Sequence, residues 1–259
     1  IDSLIENGLI IDNALSSINE QATYSGPGWS SMITGVWYDK HGVTDNSFVG
    51  SNFDQYPPFN ILLNENGDEF YSASFIMWTP INSEIFSGSM NYNENHPSYN
   101  ASVAQAAANY ITTEELDVLF LDFDHIDHAG HSYGFAPDVL EYINTIEEID
   151  EYIGLVLSAM EDRTNYNNEE WLIIITSDHG GNMSGHGGQT IEERIIPIIL
   201  SGNYVDNSNV PEQAYIVDIV PTIMQFLGQE IDCSWELDGD VIGLNTDLFP
   251  QQNPCPTCP

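Results

Sequence analysis

The chain has 259 residues, 42% of them apolar, which is enough for one large buried core. Three Lys and Arg stand against 40 Asp and Glu, a net charge of −37, so nucleic-acid backbones and anionic membranes are repelled at long range. No apolar run approaches the roughly 20 residues of a membrane-spanning helix, and no signal-peptide pattern is visible. The shortage of basic residues suits either salt adaptation or an extracellular setting, and composition does not choose between them.

In chain order, residues 1–5 read as the start of an amphipathic helix with Asp2 at its N-cap. Residues 23–35 (TYSGPGWSSMITG) read as a loop feeding a helix, with Pro27 suited to the first helical position and Ser25 just before it. From about 44 to 97 the chain is rich in Asn, Ser, Pro, Phe and Tyr with weak periodicity. This stretch is either a loop-rich insert shaping a substrate pocket or an ordinary surface excursion, with a candidate strand at 71–77. Helices are expected at 98–110 and at 216–226, the second ended by Gly228. DVLFLDF at 117–123 and WLIIITS at 171–177 are short continuous apolar runs, the pattern of strands buried on both faces of a parallel sheet. Between them Val139, Leu140, Ile143, Ile146, Ile149, Ile153, Val156, Leu157 and Met160 recur at three and four, one face of a long helix. Strand, helix and strand together predict a βαβ crossover. IIPIILS at 195–201 is a third strand, its Pro197 pointing to an edge or a bulge. The expected fold class is α/β, a mostly parallel central sheet with helices on both faces. The domain would run over 1–249, and 250–259 would be a Pro/Cys-containing linker tail leading to a further domain. Cys255 and Cys258 there, with Cys233, suit a tail disulfide or free thiols better than a metal or redox site.

In parallel α/β sheets ligands bind beyond the carboxyl ends of the strands. Five of the seven histidines fall in DFDHIDHAGHSYG (122–134), SDHGG (177–181) and SGHGG (184–188), each stretch following or lying near such an end. Asp127 and His131, four residues apart, and the adjacent Asp178 and His179 are carboxylate–imidazole pairs. With His186 they form a donor set that suits zinc or another first-row dication rather than calcium or magnesium. His125, His128, Asp122 and Asp124 either orient ligands or belong to a polar loop. Ser25, at a helix N-terminus where free N–H groups and the helix dipole favour an anion, is a candidate nucleophile if a metal activates it, or else a helix-capping serine.

Taken together these residues resemble the alkaline phosphatase superfamily, with the type I phosphodiesterase/nucleotide pyrophosphatases and the related sulfatases in particular. The likeness is carried by Ser25-x-Pro27 followed by Thr34-Gly35 and His41-Gly42, by Asp127-x-x-x-His131, by Ser177-Asp178-His179-Gly180, by His186-Gly187, and by the 218–222 and 235–239 stretches. The resemblance implies hydrolysis of phosphate mono- or diesters through a covalent phosphoserine on Ser25. It implies two divalent ions, with zinc expected, one held by Asp127, His131 and His186. The other would be held by Asp178 and His179 with Ser25 and one further carboxylate. The small phosphorylated or phosphodiester substrate would lie against Gly28 and Trp29, where the family carries a polar side chain. A secreted or periplasmic location is expected, with no nucleic-acid partner and no membrane span. A sulfatase would carry Cys at position 25. The resemblance further implies a first buried strand ending in an Asp, which would lie ahead of residue 1, so the chain reads as a fragment. The alternative is a non-catalytic extracellular surface or structural protein that keeps the fold.

Overall fold

A computed structural model of the chain describes residues 1–18, 20–65, 67 and 69–249. Its first elements are α1 (Asp2–Glu6), β1 (Gly8–Leu15), α2 (Ser25–Thr34), α3 (Tyr38–His41), α4 (Phe59–Leu63), β2 (Ser72–Ile76), β3 (Tyr92–Asn95) and α5 (Asn100–Thr113). They are followed by β4 (Val118–Leu121), α6 (His125–Tyr133), α7 (Leu140–Glu161), β5 (Leu172–Thr176), α8 (Ile191–Arg194), β6 (Ile195–Gly202) and α9 (Ile219–Phe226). The chain divides into two compact units, one of residues 2–63, 171–180 and 186 onward, the other of residues 64–170 and 181–185 with residue 1.

The first unit is built on a three-stranded sheet in the order β1–β6–β5, antiparallel throughout. The apolar runs at 172–176 and 195–202 are strands as expected, but their pairing corrects the parallel expectation. A continuous apolar run signals burial and carries no information on direction. The segment joining the two strands, residues 177–194, contains only the four-residue α8 and no longer helix of the kind that usually carries a parallel crossover. Pro197 does not put β6 at an edge: β6 is the central strand, and the accommodation is made opposite, where the β1 register shifts between Ile11 and Ala14. Pro lacks the N–H that a regular ladder would use there. Leu9, Ile11 and Ala14 of β1 join Ile196, Ile198 and Leu200 of β6 and Ile216, Val217 and Ile219 in one buried cluster. Asp218, buried at the foot of α9, accepts N–H groups from Tyr215 at 2.7 Å and Asp240 at 2.9 Å. Burial pushes its carboxyl up to about 6.

The second unit carries a parallel sheet in the order β3–β2–β4. Its central strand β2 is buried at every position. Ala73, Phe75 and Met77 pack against Val103, Ala104 and Ala107 of α5 and Val156 of α7. The long helix expected at 139–160 is α7, but β4 and β5 belong to different sheets, so α7 is not a crossover within one sheet. Among the described residues β4 pairs with β2 alone and β5 with β6 alone. Arg163, just beyond α7, reaches the carbonyls of Ile111 and Glu114 and grips Glu169 with two nitrogens, at 2.9 Å from Nε and 2.8 Å from Nη2.

The stretch 44–97 contains two strands of this sheet as well as loops. Cys233 is disulfide-bonded; the linker at 250–259, with Cys255 and Cys258, lies outside the described residues.

Candidate functional site

In the first unit Ser25 is the first residue of α2 rather than the residue before it, with Tyr24 extended at the N-cap. Pro27 therefore falls at the third helical position, still within the turn whose N–H groups have no helical partner. Two features fix this helix end. Gly28 is buried, and a Cβ built on it would lie 2.4 Å from the Asp178 carbonyl oxygen, so only glycine lets α2 approach the loop after β5 this closely. On the other flank, Asn46 accepts the Gly26 N–H on its Oδ1 at 2.7 Å.

The far end of α2 is held by a buried polar chain. The Val43 N–H donates to His41 Nδ1 at 3.1 Å, so the ring proton is on Nε2 and points to Ser31 Oγ at 3.0 Å. Ser31 in turn donates to Gln21 Oε1 at 3.2 Å, which also takes the Tyr38 N–H at 3.0 Å. Burial lowers the His41 imidazole to about 3.

The loop after β5 brings Asp178 and His179 to the same place. His179 is buried and its Nε2 lies 3.4 Å from Ser25 Oγ and 3.3 Å from Asp178 Oδ2. His186 stacks on His179 with ring centroids 3.7 Å apart. In both rings Nδ1 meets a backbone carbonyl, Gly180 at 2.8 Å for His179 and Thr23 at 2.7 Å for His186. A carbonyl only accepts, so each Nδ1 carries the hydrogen and each Nε2 the lone pair. The unit thus gathers Ser25, Asp178, His179 and His186.

The second unit repeats the device. Asp127 and His131 sit one turn apart on α6, with His131 Nε2 3.3 Å from Asp127 Oδ2. His131 Nδ1 is anchored on the Ser184 carbonyl at 2.9 Å. The ring of Phe135 fills the space beside Gly130, which holds α6 in place below the pair. Asp122 is buried and accepts the N–H groups of Met77 and Trp78 at 3.0 and 2.7 Å, tying the ends of β2 and β4 together. Asp124 pairs with His128 at 3.0 Å.

These contacts test whether the residues suit a metal. In a neutral imidazole the Nε2 lone pair of His179 faces a carboxylate lone pair, as does that of His131. Two acceptors at 3.3 Å repel unless a proton or a metal cation lies between them. Ligand bonds of roughly 2.0–2.2 Å in tetrahedral array set neighbouring donor atoms about 3.4 Å apart, so both pairs have the spacing of ligands on one ion.

Residues 1–231 match known families in the same sense. Residues 79–231 match the Metalloenzyme superfamily profile, and residues 1–101 match that of the type I phosphodiesterase / nucleotide pyrophosphatases. The chain belongs to the metalloenzyme superfamily. This bears out the likeness to the alkaline phosphatase superfamily, and membership implies a divalent metal cofactor. The GPI ethanolamine phosphate transferase 2 of Schizosaccharomyces pombe is 30% identical over 127 residues, 43% of this chain and 16% of that protein. The bis(5'-adenosyl)-triphosphatase ENPP4 of Bos taurus is 25% identical over 199 residues, 70% of this chain and 42% of that protein. In fold, murine ectonucleotide pyrophosphatase / phosphodiesterase 5 superposes with a TM-score of 0.66 at 14% identity, covering 88% of this chain and 89% of that one. The matches span less than half the length of these two curated relatives. No helix among the described residues is long and apolar enough to cross a membrane.

Gly28 and Trp29, expected at the substrate, have packing roles here: Gly28 lies against Asp178, and Trp29 is half-buried against the core cluster of the first unit. The residue the sequence reading missed is Asn46. It comes from an exposed polar loop, and nothing in its local pattern connects it to Ser25.

Proposed function

We propose that the chain is the catalytic part of a metal-dependent enzyme that hydrolyses phosphate mono- or diesters, with Ser25 as nucleophile. The observation that carries this reading is the meeting of Ser25 Oγ, His179 Nε2 and Asp178 at the N-terminus of α2 in a chain of the metalloenzyme superfamily. Asp178, His179 and Ser25 would hold one divalent ion and Asp127 and His131 the other, with His186 a further ligand; zinc suits the mixed nitrogen and oxygen donors. Bound there, the ions supply Lewis-acid stabilisation of the phosphoryl oxygens and lower the pKa of the serine hydroxyl and of water.

The residues of the chain do the rest. Ser25 Oγ, its proton given up to solvent, attacks phosphorus in line; its O–P bond forms, the bond to the departing alcohol breaks, and the electron pair leaves with that oxygen, which takes up a proton from solvent. The helix N-terminus faces the charge on the transferring group. Asn46, fixed through its Oδ1 on the Gly26 N–H next to Ser25, would offer its amide nitrogen as a preorganised donor to a non-bridging oxygen. Water then attacks the phosphoserine and restores Ser25; an alcohol in its place would make the same chain a transferase. The acidic surface and the superfamily suit a secreted or periplasmic setting.

The test is to quench the metal-loaded protein in acid during turnover of bis(p-nitrophenyl) phosphate, and separately of p-nitrophenyl phosphate, and to locate the adduct by peptide mass spectrometry. A p-nitrophenyl phosphate group on Ser25 from the diester or phosphate from the monoester, and its loss in Ser25→Ala together with turnover, is the expected result. Turnover that survives Ser25→Ala overturns the assignment.

A further inference from the structure

His186 is followed by two glycines. Gly187 has φ +110°, a backbone that side chains rarely adopt, and a Cβ on it would lie 2.3 Å from the Tyr24 ring. Consecutive glycines have the greatest backbone freedom of any pair and carry no side chains to hold themselves. The imidazole that precedes them therefore has a fixed position only if other parts of the chain grip the loop.

Thr23 is that grip. It is buried, 2% exposed. Its Oγ1 donates to the Gly188 carbonyl at 3.0 Å and accepts the Gly187 N–H at 2.8 Å, while its carbonyl accepts from His186 Nδ1 at 2.7 Å. One residue thus meets three in succession. A single bond to the imidazole would leave the loop free to turn about it; three bonds to successive residues fix its rotation as well as its place. Glu193 closes the other side, taking the Gly188 N–H on Oε1 at 2.8 Å. Its carbonyl takes the Gly180 N–H at 2.9 Å, beside the His179 on which His186 stacks. Any residue at position 23 would supply the carbonyl. The hydroxyl, which is both donor and acceptor, is particular to Thr and Ser. Thr23 also lies two residues before Ser25, through Tyr24 extended at the N-cap of α2, so one short stretch carries the nucleophile and aims the imidazole.

Resting on the reading of His186 as a metal ligand, we propose that Thr23 is a positioning residue whose hydroxyl holds the 186–188 stretch so that His186 is aimed before a divalent ion arrives. Without that hydroxyl the ion must order the loop itself. Its apparent affinity then falls in proportion to the fraction of time that the imidazole is in place.

The experiment strips the full chain of metal and titrates it with zinc against a chelating indicator dye. Four variants are compared with the parent. Thr23→Val replaces the hydroxyl by a methyl group of similar size, Thr23→Ala removes it together with the methyl, Thr23→Ser keeps it, and His186→Asn marks the binding step that depends on the imidazole. Urea melts of the metal-free proteins show which variants are folded. In that step Thr23→Val and Thr23→Ala should bind zinc about tenfold more weakly than the parent, and Thr23→Ser within about twofold of it. If one of the two hydroxyl-free variants does not fold, the other is read against Thr23→Ser. Hydroxyl-free protein that is folded and binds zinc within about twofold of the parent overturns the proposal. So does Thr23→Ser binding as weakly as Thr23→Val, and so does failure of both hydroxyl-free variants to fold, which would make Thr23 a residue of the fold alone. Unchanged zinc binding in His186→Asn would instead overturn the reading of His186 as a ligand, whatever the Thr23 variants do.

Discussion

Gly28→Ala changes one hydrogen for a methyl group at the point where α2 meets the loop carrying Asp178 and His179. The added Cβ would sit 2.4 Å from the Asp178 carbonyl oxygen and 3.1 Å from its carbonyl and β carbons. Ordinary contact needs about 3.4 Å, so helix and loop must separate by about 1 Å, and both sides of the contact are backbone, which cannot rotate away. Ser25 lies one turn before Gly28 on the same rigid helix, and Asp178 is next to His179. The 3.4 Å approach of Ser25 Oγ to His179 Nε2 therefore opens by a comparable amount. A displacement of about 1 Å at the reacting atoms costs about a hundredfold in rate, and the overpacking itself about 1–3 kcal/mol of stability. The assay is kcat on bis(p-nitrophenyl) phosphate at saturating metal, beside a urea melt showing that the variant is folded at the assay temperature. A folded Gly28→Ala protein with kcat within threefold of the parent would refute the claim that this contact sets the nucleophile.

Metal content supplies the next prediction: His179→Asn and His131→Asn should each lose close to one equivalent of bound metal by elemental analysis, and unchanged stoichiometry in either would remove that pair from the ligand set. Arg163→Met should destabilise the protein by about 3–5 kcal/mol in urea, because it leaves Glu169 and two carbonyls without their cation; a loss below about 1 kcal/mol would show that the clamp is dispensable. Two buried groups give opposite pH slopes. His41, lowered to about 3 from 6.5, leaves the unfolded chain to take up the proton first, so its contribution is complete above 6.5 and is lost as pH falls towards 3, at about 1.4 kcal/mol per pH unit. Asp218, raised to about 6 from 3.8, works against folding above 6 and is relieved as pH falls to 3.8. Between pH 7 and 4, Asp218→Asn should therefore lose stability more steeply than the parent and His41→Gln less steeply; identical slopes in all three proteins would contradict both assignments.

The legible parts of this fold are those with a strong hydrophobic period. α7, with its three-and-four repeat, and the runs at 172–176 and 195–202 stand out because burial is written into every residue. Pairing direction is not so written: Ile174 opposite Leu200 and Ile175 opposite Ile199 would be equally apolar neighbours in a parallel sheet. β1 was hidden because Asp12 and Asn13, the residues spanned by its register shift, interrupt the apolar pattern, and β3 because Tyr-Asn-Glu-Asn is a polar edge strand of four residues. The paired donors could be read because Asp, His and Gly coincide after predicted strands. Asn46 could not, since its tie to Gly26 joins a loop to the start of α2 across 20 residues of sequence, and an asparagine in an asparagine-rich stretch has no distinguishing context.

The anchors of the three site histidines are main-chain oxygens, from Thr23, Gly180 and Ser184. Every amino acid carries such an oxygen, so the orientation of the rings is inherited from the path of the chain and leaves no signature of its own. Ser184 is exposed, and its side chain can drift through substitution without disturbing His131, provided the turn persists. A lineage of such proteins can then diverge widely around its donors while the imidazoles keep their aim. An insertion or deletion that re-routes the 181–185 turn would do what no side-chain replacement at 184 can, and turn a ligand away without touching it.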